Sequence, residues 1–147
     1  MDLFDHLKQE HEQVKKTLER LMTSTSRGAK SRTSGMDQLR KLLLPHMEAE
    51  EGLFYPALIE QGKSELGLEA MEEHRVARRI MEDIQDVEPA DEHWHARLKV
   101  LCDVIEHHIE EEESQVFDAA REVFDADRLE EMADQFLGRE KQVKQSM

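Results

Sequence analysis

Two stretches of this chain each set an imidazole and a carboxylate four residues apart within apolar sequence, and nothing else in it constrains the fold as strongly. In the stretch from Leu42 to Pro56 the pair is His46 and Glu50, and from Val104 to Asp118 it is His108 and Glu112. Aligning Glu50-Glu51 on Glu112-Glu113 brings His46 onto His108 and sets Asp118 where Pro56 stands. Residues four apart on an α-helix share a face, with Cβ atoms roughly 5–6 Å apart. Each stretch therefore offers a His and a Glu together on an otherwise apolar face, which suits one shared site.

The remaining sequence divides into helical patterns. Phe4, Leu7, His11, Val14, Leu18 and Leu21 step by three and four residues, predicting a helix from about Asp2 to Met22 with His11 at a core position. Thr23 to Ser34 is rich in Ser, Thr, Gly, Arg and Lys and lacks apolar periodicity, so it reads as a flexible loop. Ser34 and Asp37 offer capping groups for a second helix with Leu39, Leu43, His46, Glu50, Leu53 and Ala57 inward, its far end marked by Pro56 and Gly62. Pro45 predicts a bend just ahead of His46, because proline removes a backbone donor and crowds the preceding turn.

A third helix, starting near Ser64 to Gly67, carries Ala70 or Met71, His74, Ala77, Met81 and Ile84 inward. After a short turn over Val87 to Asp91, a fourth helix from about Asp91 to Phe124 aligns Leu98, Leu101, Ile105, His108, Glu112, Val116 and Ala119. A shorter fifth helix, about Asp127 to Glu140, contributes Leu129, Met132, Phe136 and Leu137, with a frayed tail after Lys141.

The halves repeat at a nearly constant offset, 63 residues for His11 and His74 and 62 for both His46/His108 and Glu50/Glu112. Each half is thus a helix pair, and two pairs pack naturally as an up-down-up-down four-helix bundle. At 147 residues the chain fits one domain, with the bundle over about 1–124 and the C-terminal helix and tail over about 125–147. Charged residues make up 37% and there are only three prolines, which favours an all-α protein of long amphipathic helices. A net charge of −14 makes nucleic acid and anionic membrane poor partners and cations good ones. Cys102 is alone, so no intrachain disulfide forms, and no apolar run reaches the roughly 20 residues of a membrane span. With no signal-peptide layout at the start, the expected location is cytoplasmic.

Six positions interrupt the inward apolar stripes: His11, His46, Glu50, His74, His108 and Glu112. A lone core histidine is more often packing than a ligand, and one His-to-Glu pair is usually a surface contact. Four helices each contributing an inward His, two of them adding a Glu one turn later, form a different pattern. Ionised carboxylates buried without partners cost several kcal/mol each, so a compensating metal is expected. Imidazole and bridging carboxylate suit a pair of first-row ions, with iron ahead of manganese and zinc. His6, His93 and His95 fall off the stripes, Trp94 reads as a half-buried anchor at a helix start, and Cys102 as core packing. His107 shares the spacing to Glu111 but lies about 100° around the helix from the Leu101–Ile105 stripe.

At these residues the sequence resembles the hemerythrin-like family, also called the HHE cation-binding domain. The motifs are His11, His46 with Glu50-Glu51 and Phe54-Tyr55-Pro56, His74, and His108 with Glu112-Glu113 and Phe117, within about Met1 to Glu122. The resemblance implies a four-helix bundle with a non-haem di-iron centre, in which His11 and His46 hold one iron, His74 and His108 the other, and Glu50 and Glu112 bridge them. Oxygen carriers of the family have a further His where this chain has Arg78. The pattern is instead similar to bacterial four-His members, which implies a small diatomic ligand or peroxide as partner. Binding or sensing of O2, NO or peroxide leads, with a di-iron redox enzyme or an iron donor for cluster repair as alternatives.

Overall fold

In the computed structural model, which describes residues 1–147, side-chain caps start three of the five helices. Asp2 accepts the Asp5 N–H at 3.0 Å and opens α1 (Leu3–Thr23). Asp91 and Asp125 do the same for the helices that open at Glu92 and Ala126, accepting from the backbone of His93 and Arg128 at 2.8 Å. Such a cap supplies a partner for an N–H that the helix itself leaves free. Helix α2 is built from Ala29–Ala49, a π-helical turn Glu50–Phe54, and Tyr55–Glu60. Gly62, at φ +86°, reverses the chain into α3 (Ser64–Gln85). Helix α4 repeats the three-part build, as Glu92–Glu111, a π turn Glu112–Val116, and Phe117–Val123, before α5 (Ala126–Ser146).

The first four helices close a square, α1 against α2 and α4, and α3 against α2 and α4, while α5 lies along α1 and α2. This is the all-α bundle that the repeat and the periodicity imply. Its core falls into two hydrophobic clusters of 16 buried residues each, one around Phe54, Tyr55, Phe117 and Phe136, the other around Leu18, Leu39, Leu98 and Ile105. His11, His46, Glu50, His74, His108 and Glu112 form the layer between them, all at most 9% exposed. A polar layer enclosed by apolar ones on both sides has no water to turn to.

Four expectations are corrected by the structure. The loop expected from Thr23 to Ser34 is confined to 24–28, and α2 begins at Ala29 behind Gly28 rather than at a Ser34 cap. What orders this stretch is a buried charge: Arg32 donates to the carbonyls of Pro89 and Ser24 and to Ser24 Oγ, and its guanidinium sits 4.4 Å over the Trp94 ring. Trp94 is accordingly buried, not half-buried. Helix α5 continues to Ser146 without a frayed tail, because Glu140 and Val143 extend the buried row of Leu129, Met132 and Phe136, whereas Leu137 is exposed.

The fourth correction concerns register. Where Pro45 implied a bend ahead of His46, the helix continues through the proline and changes geometry at Glu50 instead. Tyr55 N–H donates to the Glu50 carbonyl, and Phe117 N–H to the Glu112 carbonyl, each five residues back. The extra residue in that turn shifts the inner face by one. Phe54, Tyr55 and Leu58 are therefore fully buried, while the expected Leu53 and Ala57 are only partly so.

Replacing Arg32 by Ala leaves the part-buried carbonyls of Ser24 and Pro89 without this donor and removes the stacking on Trp94, so stability should fall by about 1–3 kcal/mol. Denaturant unfolding of the variant checks this. A loss under about 0.5 kcal/mol, the level of an ordinary surface change, contradicts the ordering role of Arg32.

Candidate metal centre

The two core carboxylates are completely buried, and each side chain arrives one helical turn after a His on the same helix. Glu50 Oε1 lies 3.1 Å from His46 Nε2 and 3.2 Å from His74 Nε2, while Glu112 Oε1 lies 3.2 Å from His11 Nε2. None of these contacts is aligned as a hydrogen bond. His11 Nε2, both Glu50 oxygens and Glu112 Oε1 have no hydrogen-bond partner at all. Metal bonds of about 2.0–2.2 Å place neighbouring donors roughly 2.8–3.5 Å apart, with their lone pairs aimed at a common point rather than at one another. Misaligned contacts of this length between buried donors have that signature.

The donors fall into two groups that share Glu50: His11, His46, Glu50 and Glu112, and Glu50, His74 and His108. His74 Nε2 and His108 Nε2 approach to 3.0 Å, with ring centroids 4.6 Å apart. All six residues singled out in the sequence are thus brought together. His107 stays outside, its side chain 64% exposed and 3.4 Å from Glu111. His93 is exposed beside Asp91, and Cys102 is a buried thiol whose pKa burial pushes up to about 11.

Tyr55 was not expected here. Its hydroxyl donates a short hydrogen bond to Glu112 Oε2 and stands 3.2 and 3.3 Å from the Nε2 atoms of His74 and His108. It therefore completes the second group with a fourth oxygen or nitrogen donor. The π turn at Glu50 is what aims it inward, and regular 3.6-residue periodicity carries no signal of it. A tyrosine directly after the apolar Leu53-Phe54 was the available hint.

The outer nitrogens reveal a second missed feature. Each histidine shares its Nδ1 proton with a carboxylate of a neighbouring helix: His46 with Glu10 at 2.8 Å, His74 with Glu51 at 2.7 Å, His108 with Glu73 at 2.8 Å and His11 with Glu113 at 2.7 Å. The ring is cyclic, α1 serving α2, α2 serving α3, α3 serving α4 and α4 serving α1. Every one of these glutamates adjoins an inward donor in sequence, before it in α1 and α3 and after it in α2 and α4. One residue turns about 100° around a helix, and reversing the chain direction reverses the sense of that turn. Antiparallel neighbours therefore need opposite sequence offsets to point the same way round the bundle. Carboxylates at Nδ1 fix the tautomer, leaving Nε2 free to bind, and raise its basicity. Arg78 joins this ring rather than the centre, bonding Glu51 at 2.9 Å.

Burial opposes charge on the imidazoles, but Glu50 and Glu10 hold His46 well above the usual range, and Glu112 and Glu73 hold His108 up to about 10. Burial, then the charges of Glu112 and Glu50, push the Tyr55 hydroxyl well above its ordinary value. The raised values of His11, His46 and His108 favour protonated imidazoles, whose positive charge offsets the carboxylates in the metal-free protein. Between the four rings lies a cavity of about 20 Å³, otherwise lined by Glu73 and by apolar side chains such as Leu43 and Ile109.

The sign of the pH dependence follows. A folded-state histidine pKa above its unfolded value contributes stability that is fully present below the unfolded pKa, near 6.5, and is lost as pH rises through the folded one. Metal-free protein should lose stability steadily from about pH 6.5 to pH 10, the upper edge set by His108. Thermal melts across that range check it, and a flat or rising profile contradicts it.

Comparison with known proteins agrees with this geometry. The profile described as "Hemerythrin HHE cation binding domain" matches residues 2–120. A crystal structure of a hemerythrin HHE cation-binding domain-containing protein from Mycobacterium kansasii superposes with a TM-score of 0.88 at 24% identity, over 99% of this chain and 89% of that one, and bears on the fold. A Nostoc sp. protein named DNA nickase is 27% identical over 113 residues, 75% of this chain, and this chain spans only 31% of that protein's length. A profile match over most of the chain, together with the fold, establishes membership: this chain belongs to the hemerythrin HHE cation-binding domain family.

Proposed function

We propose that this chain is a non-haem di-iron protein that binds or senses a small ligand such as O2, NO or peroxide. The observation that carries the reading is the set of four buried donor atoms in the centre that lack any hydrogen-bond partner while standing at coordination distances from one another. His11, His46, Glu50 and Glu112 would hold one ion, and His74, His108 and Glu50 the other, with Tyr55 adjoining the second. Glu50 belongs to both groups, and Glu112 faces His11 with one oxygen and His108 with the other, so both carboxylates would bridge. Imidazole with carboxylate suits iron, and manganese or zinc would fit the same donors. When bound, the metal pair would supply positive charge and open coordination positions for a ligand.

The chain's own residues set what can enter. A single water needs about 10–15 Å³, so a cavity of about 20 Å³ admits a diatomic or peroxide and excludes organic substrates. The Tyr55 hydroxyl holds its proton on Glu112, beside the second group of donors. Arg78, at the position of the carriers' fifth histidine, orients Glu51 and adds no donor to the centre. Enclosure of all six residues also favours a resident metal over a metal held for delivery, since release requires the bundle to open.

Iron loading without oxygen, followed by titration with nitric oxide, tests the ligand reading. The reduced protein should show a saturable absorption change, and an unchanged spectrum contradicts small-ligand binding. The site assignment is checked by metal analysis of two neighbouring variants. His108→Ala should lose at least half the bound iron and His107→Ala essentially none. Equal losses would contradict the assignment.

A further inference from the structure

The chain contains a His-x-x-x-Glu pair that the buried centre does not use. His6 and Glu10 stand one turn apart on α1, with the same spacing as His46/Glu50 and His108/Glu112. Helix α5 brings Glu140 against them. His6 Nε2 lies 2.8 Å from Glu140 Oε1 and 3.4 Å from Glu10 Oε1. All three residues can turn one donor atom toward a point, with those atoms within 4.8 Å of each other.

Two features point to a ligand. Glu140 is 2% exposed, and its second oxygen, Oε2, is buried with no hydrogen-bond partner. No Lys or Arg pairs with either carboxylate, and Glu140 faces the His6 imidazole alone, while Glu10 divides Oε1 between His6 and His46. A buried carboxylate on an otherwise apolar row of α5 is costly unless something compensates it. The His6 and Glu10 side chains keep 12% and 17% exposure, so an ion can reach the cluster from solvent.

We propose that His6, Glu10 and Glu140 form a further site for a divalent first-row cation, clamping α5 onto α1. One imidazole with two carboxylates suits Mn2+, Fe2+ or Zn2+ rather than Ca2+ or Mg2+, which take all-oxygen sets. Glu10 also bonds His46 Nδ1 at 2.8 Å, so occupancy of this site bears on a histidine of the buried centre. The site stands independently of the di-iron reading, because its count is an increment over whatever that centre holds.

The test is titration of iron-loaded, air-oxidised protein with Mn2+, following loss of the free-ion signal by electron paramagnetic resonance. One additional Mn2+ per chain is expected, together with a rise in melting temperature. His6→Gln and Glu140→Gln should each weaken that uptake at least tenfold. No additional uptake, or uptake indifferent to both substitutions, overturns the proposal. If either variant fails to fold, wild-type protein carrying 15N-labelled histidine decides the matter. Bound Mn2+ must then show coupling to an imidazole nitrogen, and absence of that coupling overturns the site.

Discussion

Two carboxylates sealed in the middle of a hydrophobic bundle set the terms for the rest of this molecule. Glu50 and Glu112 are fully buried, and three of their four oxygens accept no hydrogen bond. An ionised carboxylate in that setting costs several kcal/mol unless cations surround it. The four inward histidines, the ring of glutamates at their outer nitrogens and the raised histidine pKa values are all consequences of meeting that requirement. Raised basicity at His11, His46 and His108 goes part of the way, and the unpartnered donor atoms suit a metal.

The same requirement explains the helix irregularities. A bundle of regular helices repeats its inner face every three or four residues, which cannot place Glu50, Tyr55 and Leu58 all inward. The π turn after each core glutamate admits one extra residue and rotates the following segment. Below Glu50 this brings Tyr55 to Glu112, and below Glu112 it turns both Val116 and Phe117 to the core. Helix α5 then closes that end, with the Phe136 ring 5.9 Å from the His46 ring. The aromatic cluster beneath the polar layer shields it from solvent and keeps its electrostatics strong.

The sequence was legible wherever the physics is periodic. The six polar residues of the layer stood out because each breaks an apolar stripe at helical spacing, and the four-helix arrangement followed from the repeat. Tyr55 escaped because a π turn breaks that period. Arg32 escaped because a buried guanidinium, satisfied by carbonyls and an indole, leaves no hydrophobic trace in sequence. Glu140 concealed the inner row of α5 in the same way, because a charged residue on the buried face ends the apolar pattern early. The outer ring of Glu10, Glu51, Glu73 and Glu113 was written as neighbours of the donors, but its meaning depends on how antiparallel helices turn toward each other, which sequence spacing within one helix does not encode.

The central claim is that the buried layer is a di-metal centre, and anomalous X-ray scattering from crystals of the iron-loaded protein tests it most directly. Two iron peaks are expected, one beside His11 and His46, the other beside His74, His108 and Tyr55, with Glu50 and Glu112 between them. A single peak within the layer, or iron bound only elsewhere, would contradict the account.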